Sequence, residues 1–237
     1  MKKFLTALLS LSLIFISACS GNASVATGVA SSNSEEAIQS SSSGSEEDNT
    51  TSEPTTDGSN DHSDTLVVYF SRTGEQYGVG VIDKGNTAIV AEMIAEKTGA
   101  DLFEVLPEDD YYPYTYAELT DVAKQELNDN ARPAYKGPVP DLSQYKTIFI
   151  GSPVWWGDWP MIMYTFFESN ASDLAGKTLI PFSTHAGSGL SGFDTKLAGA
   201  CPNSTVGTGL AISGADAQNN KDKVKNDVDQ WLSDLGY

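Results

Sequence analysis

Three segments of the chain carry residues whose types and spacing could do chemistry. The first is Ser71-Arg72-Thr73-Gly74, followed after eleven residues by Asn86-Thr87. Hydroxyls, glycines and the free N–H groups of a helix start suit a phosphate dianion, which also gains from the helix dipole. Ser and Thr at such junctions serve equally as helix caps, and residue types alone leave both uses open. The second segment, Gly151-Ser152-Pro153-Val154-Trp155-Trp156-Gly157-Asp158-Trp159-Pro160, holds three of the four tryptophans. Indoles bracketed by Gly and Pro offer a stacking platform for a flat heterocycle. Trp155 and Trp156 are expected to meet such a ligand, and Trp159 to pack against neighbouring helices. The third segment is Ser183-Thr184-His185-Ala186-Gly187-Ser188-Gly189. Its small residues let backbone N–H groups approach a ligand edge closely. His185 is a donor to a ring, a proton relay or a solvent-facing loop residue.

The elements that must position these segments follow a βα rhythm. Leu66–Phe70, Leu102–Leu106, Thr147–Ile150 and Thr178–Phe182 are short apolar runs that read as strands, with Val206–Ile212 as a weaker fifth. Between them the apolar spacing predicts helices. One opens at Asn86-Thr87 and closes at Gly99; another runs through Ala117, Val122 and Leu127 and ends before Pro133. Met161–Glu168, a stretch near Gly192–Leu197 and Lys221–Leu235 complete the set, the last with Val224, Val228, Trp231 and Leu232 facing inward. Apolar strands alternating with amphipathic helices predict an α/β domain with a parallel sheet covered on both faces. In such sheets ligands bind beyond the carboxyl ends of the strands. All three chemical segments follow strands there.

Composition excludes several function classes. The chain has 237 residues, 32 acids and 14 bases, with a formal charge of −18. Residues 20–64 hold nine of the acids and residues 1–19 two lysines, so 65–237 keeps 23 acids against 12 bases, net −11. That balance argues against nucleic acid binding, which needs cations to displace counterions from phosphates. Two cysteines and two histidines give neither a disulfide scaffold nor a structural zinc site. Neither paired catalytic carboxylates nor a nucleophile triad stands out, so no catalytic residue and no metal ligand is assigned. A dinucleotide-binding Gly-x-Gly-x-x-Gly and a P-loop Gly-Lys-Ser/Thr are absent from the first segment. Cys201, before the fifth strand, reads as a packing thiol. Arg72 is expected to face solvent, and Glu108-Asp109-Asp110 to form a solvated turn.

The N-terminus reads as an export signal over 1–18: Met1-Lys2-Lys3, then an apolar run from Phe4 to Ile16. The run ends in Ile16-Ser17-Ala18-Cys19, which resembles the lipobox of bacterial lipoproteins and implies lipidation of Cys19. Residues 20–64 contain 13 serines, five threonines and no aromatic side chain. Such a segment cannot bury enough apolar surface to offset its ordering entropy, so 19–64 is expected to be a disordered tether. His62 lies in it and has no assigned role.

Taken in order, the three strand-end segments resemble the flavodoxin family, and the resemblance covers 65–237. It implies a three-layer sandwich around a five-stranded parallel sheet of order 2-1-3-4-5, and flavin mononucleotide (FMN) as cofactor. The phosphate loop of that family is matched by Ser71, Thr73, Gly74, Asn86 and Thr87. The loop that stacks an aromatic on the flavin is matched by Pro153, Val154, Trp155, Trp156 and Gly157. The loop flanking the flavin edge is matched by Thr184, His185, Ala186, Gly187, Ser188 and Gly189. Glu75–Gly85 departs from the pattern by splitting Thr-Gly from Asn-Thr, and resembles an insertion found in a variant group. The implied function is membrane-anchored, extracytoplasmic electron transfer, with redox proteins bearing basic docking faces as partners. A flavin-dependent reductase of quinones or other small acceptors is an alternative, its pocket walled by 75–85 and Tyr111, Tyr112, Tyr114 and Tyr116. A flavin-free binding module is a third reading, because a fold does not decide a function.

Overall fold

A computed structural model describes residues 63–237. The export signal, Cys19, His62 and the tether up to residue 62 lie outside the described residues.

The first strand, β1 (Thr65–Tyr69), is buried along its whole length. Its alternation sorts the core into two layers. Leu66, Val68 and Phe70 join one cluster with Ile148, Ile150, Ile162, Phe166 and Leu197; Val67 and Tyr69 join the other with Phe149, Phe182, Val90, Ile94 and Val228. A strand with both faces covered has no polar side, and this one has none.

After β1 come β2 (Gly74–Gln76) and β3 (Gly80–Ile82), then α1 (Asn86–Thr98), β4 (Asp101–Glu104) and α2 (Tyr116–Asp129). Next are β5 (Thr147–Pro153), α3 (Met161–Ser169), α4 (Ala171–Leu174) and β6 (Thr178–His185). The chain ends with α5 (Phe193–Ala200), β7 (Thr205–Val206), β8 (Leu210–Ser213), α6 (Gly214–Asn219) and α7 (Lys221–Asp234). The main sheet is parallel, in the order β4-β1-β5-β6, with β7 and β8 both beside β6. Counted along the chain this is the expected 2-1-3-4-5 order, with the fifth place shared.

That fifth place corrects one expectation. A single strand over Val206–Ile212 is instead two pieces, pairing Leu179 with Val206 and Phe182 with Leu210. Three residues, Gly207–Gly209, span the gap opposite only Ile180 and Pro181, so one extra residue interrupts the ladder. Pro181 brings no N–H to the sheet, which is the usual setting of a bulge. The strands β5 and β6 run further than expected, to Pro153 and His185, and so carry the second and third chemical segments out at the sheet rim.

The helices follow their apolar spacing. Helix α1 closes at Gly99, whose φ of 69° is the left-handed cap that favours glycine and whose N–H returns to Ala95 O at 2.8 Å. In α7 the buried residues are Val224, Val228, Trp231 and Leu232, as the sequence predicts. Cys201 is buried in the core, and burial pushes its thiol up to about 11, which keeps it unreactive. No helix among the described residues is long and apolar enough to cross a membrane.

Candidate functional site

The carboxyl ends of β1, β5 and β6 open onto a cavity of about 450 Å³. That lies within the range of ~300–1,000 Å³ typical of small-molecule sites. Asn86 lines it from the first segment, Pro153, Val154, Trp155 and Trp156 from the second, and Thr184, His185 and Ala186 from the third. Gly214, at the start of α6, joins them. Gln76 and Tyr77, and on α2 Tyr116, Leu119, Thr120 and Ala123, supply the rest. None of these fifteen residues is Asp, Glu, Lys or Arg, although the domain is strongly acidic.

The first segment is folded tightly around the start of α1. Ser71 Oγ accepts from Ala88 N at 3.1 Å. A Cβ on Gly85 would lie 2.1 Å from that oxygen, so only glycine fits before Asn86. Gly85 therefore offers no capping side chain, and the first turn of α1 holds no acid. By contrast α2, α5, α6 and α7 carry Glu118, Asp194, Asp216 and Asp222 in their first turns. The positive end of the α1 dipole is thus left without a built-in anion. Thr87 is buried, and its hydroxyl meets Thr184 Oγ1 at 2.8 Å, tying the first segment to the third. The Asn86 amide is held from behind: its Oδ1 accepts from Gln218 Nε2 at 2.8 Å. A Cβ on Gly214 would sit 2.6 Å from Asn86 Nδ2. That close approach makes a cradle that a larger residue would fill.

Trp159 packs into the core as expected, while Trp155 and Trp156 line the cavity. Trp159 is 1% exposed, stacked on Phe193 at 3.6 Å between ring centroids, in the core. Trp155 and Asp158 exchange two backbone hydrogen bonds of 2.9 Å across Trp156-Gly157. Both central residues have positive φ, 52° and 76°, the pattern of a type I′ turn. Trp156 is 51% exposed and is fixed by its Nε1–H donating to Thr120 O at 2.9 Å and by the Lys124 ammonium 4.5 Å from its ring. Trp155 is half-buried and packs edge-on against Phe70 and Tyr112, at 5.4 and 5.3 Å.

Behind Trp155 lies a group that sequence reasoning missed. Glu126 is buried on α2 and accepts from the hydroxyls of Tyr111 and Tyr112. Burial raises its pKa, while the two tyrosine hydrogen bonds pull the other way. Burial likewise pushes the Tyr111 phenol up to about 12. Leu119, Ala123 and Glu126 fall on one buried face of α2. A carboxylate at a core-facing helical position was the available signal.

His185 lines the cavity, and its Nδ1 accepts from Gly187 N at 2.9 Å. That contact needs the left-handed backbone of Gly187, with φ of 117°, and it fixes the neutral ring as the Nε2–H tautomer. Burial also lowers its pKa, favouring the uncharged ring. His185 thus keeps one N–H free to donate.

Several expected site residues stand outside the cavity wall. Ser71 and Thr87 hold the α1 start, Thr73 leads into the hairpin whose first residue Gly74 lies against Tyr114, and Gly157, Gly187 and Gly189 take left-handed backbone in the turns, with Ser188 between the last two. Gly189 O accepts from Ser183 Oγ at 3.0 Å. Arg72 is a correction. Its side chain is only 14% exposed, donating to Asp110 at 2.7 Å and to Tyr112 O at 2.8 Å, so it ties the 108–110 turn down instead of facing solvent. Of the four candidate wall tyrosines only Tyr116 lines the cavity; Tyr112 is core.

Residues 75–85 contain the antiparallel β2–β3 hairpin, with Gly78 and Gly80 at positive φ in its turn. It is fastened to α2: Glu75 N donates to Tyr114 O at 2.9 Å, and the Glu75 carboxylate accepts from Tyr116 N at 2.8 Å. Tyr77 then reaches Tyr116, ring to ring at 5.6 Å.

A family model described as flavodoxin matches residues 64–233. Among solved structures the chain is similar to presumptive flavoproteins from two Bacteroides species. Against that of Bacteroides uniformis it is 32% identical, covering 73% of this chain and 99% of that one at a TM-score of 0.57. Against that of Bacteroides eggerthii the values are 30%, 73%, 98% and 0.56. A Lactobacillus acidophilus flavoprotein solved in complex with FMN shares the fold at 22% identity, covering 66% of this chain and 96% of that one at a TM-score of 0.51. No curated protein matches the chain.

Proposed function

This chain belongs to the flavodoxin family, and we propose that it is an electron-transfer protein that holds FMN in the cavity at the carboxyl rim of its sheet. The observation that carries this reading is the convergence of three strand-end segments on one cavity free of formal charge. FMN, when bound, supplies the one- and two-electron chemistry. The residues present fit it. The acid-free start of α1, with Asn86 and Thr87 in its first turn and Ser71 bonded to it, suits the phosphate, and the family resemblance adds Thr73 and Gly74 of the same segment. Trp155 and Trp156, with Pro153, Val154 and Gly157, suit the flat ring. His185 Nε2–H and the backbone of Thr184 to Gly189 suit its polar edge.

The same residues set the electrostatics. Uncharged walls in a domain of net −11 offer no cation to balance added negative charge, so electrons placed in the cavity are held at low potential. Acidic surfaces select basic redox partners and make their association salt-sensitive. We further read the chain as a lipoprotein, exported on 1–18, lipidated at Cys19 and held off the outer face of a bacterial membrane by the tether of 19–64. The flavodoxin of this chain is then an extracytoplasmic one.

The test is an absorption spectrum of the purified full chain and a titration of it with FMN. A bound yellow chromophore, or saturable quenching of flavin fluorescence that weakens in Asn86→Ala and Trp155→Ala, supports the reading. A colourless protein that quenches nothing contradicts it. Cys19→Ser is expected to move the protein from the membrane fraction to the soluble one.

A further inference from the structure

The polarity of the cavity wall at Asn86 is decided by a residue outside that wall. Gln218, on α6, directs one nitrogen, Nε2, at two acceptors, Lys84 O and Asn86 Oδ1, each at 2.8 Å. A backbone carbonyl can only accept, so the end of the Gln218 amide that meets Lys84 O must be its NH2. The same NH2 meets Asn86, so the Asn86 atom facing it must be the oxygen. The Asn86 NH2 is therefore turned the other way, against Gly214, where it donates to no group among the described residues. Asn86 and Gly214 both line the cavity, and Gln218 does not. We propose that Gln218 is a positioning residue that fixes the Asn86 amide with its donors toward the ligand, and so makes the cavity select a group that only accepts, such as a phosphate oxygen. The proposal rests on the FMN reading above, since the FMN phosphate is the group that Asn86 meets.

The two ends of an asparagine amide are nearly equal in size, so an unheld Asn86 could turn over and present its oxygen. An oxygen there repels a phosphate. Gln218 removes that second orientation, because turning Asn86 over sets one NH2 against another and leaves both without an acceptor. The orientation of this neutral amide counts because no charged side chain lines the cavity to attract an anion in its place. Holding the amide before the ligand arrives also spares the cost of ordering it on binding. The device depends on the fold, since Gln218 reaches Asn86 across 132 residues.

Gln218→Met keeps the length of the side chain and removes its NH2. The full chain and this variant are titrated with FMN and with riboflavin, which lacks the phosphate, by flavin fluorescence. FMN affinity should fall about three- to tenfold in Gln218→Met, the range of one hydrogen bond, while riboflavin affinity stays within about twofold. In an Asn86→Ala background the same change should cost FMN nothing further, because Gln218 acts only through Asn86. Parallel losses for the two flavins, or additive losses at Gln218 and Asn86, overturn the proposal and leave the FMN reading intact; Gln218 then only joins α6 to α1. A second measurement uses the parent alone and holds even if the variant fails to fold. In 15N NMR, FMN should shift the side-chain NH2 signals of Asn86 and leave those of Gln218 nearly in place. Unmoved Asn86 signals in a protein that has bound FMN overturn the proposal as well. If the parent takes up no FMN, the underlying reading fails and this proposal falls with it.

Discussion

The strand-end lining of the cavity and the hairpin–α2 lining are held in place by different physics. Asn86, Thr184 and His185 are fixed by the sheet: Asn86 follows β1, Thr184 and His185 end β6 with β5 between the two strands, and the Thr87–Thr184 contact and the Gly214 cradle lock them together. Gln76, Tyr77 and Tyr116 are fixed by two hydrogen bonds from Glu75 and a ring contact, far from the core. The first lining is polar and cannot move without disturbing the sheet. The second is aromatic, exposed and joined to the domain by surface contacts. A phosphate and a polar ring edge need fixed donors, whereas a ring face needs only flat apolar surface.

Predictions follow from that contrast. The deepest support of the strand-end lining is Trp159, which fills the core below its own loop. Trp159→Ala is expected to lower stability by about 3–5 kcal/mol in urea unfolding. Trp156→Ala, on the exposed side of the same loop, should cost only about 0.5 kcal/mol. Equal losses would erase the distinction between them. Gly214→Ala drives a methyl into the Asn86 amide, and FMN affinity by fluorescence titration should fall about ten- to a hundredfold. The fold should survive, because Gly214 lies at the cavity edge. Glu75→Ala unfastens the hairpin and uncaps Tyr116 N, and should cost about 1 kcal/mol of stability. It should also speed proteolytic cleavage within 75–82 while leaving FMN affinity nearly unchanged.

The smallest expected effect is a pH dependence. Burial lowers the pKa of His185 below its ordinary 6.5, so the unfolded chain takes up the proton first as pH falls. The stability that His185 contributes as a neutral ring is full above pH 6.5 and is lost as pH drops through the folded value. The urea midpoint of the parent should therefore fall more between pH 7 and pH 5 than that of His185→Gln. A steeper fall in the variant would contradict the sign.

How much of this was legible in the sequence depends on the range of the forces involved. Helix α1 and β1 were readable because their signals are local: a period of apolar residues, a glycine stop, an unbroken β-branched run. The three site segments were readable because parallel topology places strand ends together whatever their sequence. The split of the fifth strand was not, because the bulge depends on how Pro181 of a neighbouring strand faces Gly207–Gly209. Arg72 was misread for a similar reason: its partners, Asp110 and the Tyr112 carbonyl, lie 38 and 40 residues away. The sequence offers 75–85 and Tyr116 as pocket walls, but not what fastens them, because Glu75 finds Tyr116 across 41 residues, a pairing with no local signature. Glu126 did leave a trace, as a carboxylate on the apolar face of α2, and only the fold supplies the tyrosines that satisfy it.

The central claim is that the acid-free start of α1 and the charge-free cavity grip one ligand by its phosphate and its ring together. Parallel titrations of the full chain with FMN and with riboflavin, which lacks the phosphate, test it most directly. FMN should bind at one per chain with a Kd near or below about 1 μM, and riboflavin should bind at least about tenfold more weakly. Equal affinity for the two, or no binding of either at about 100 μM, would contradict the account.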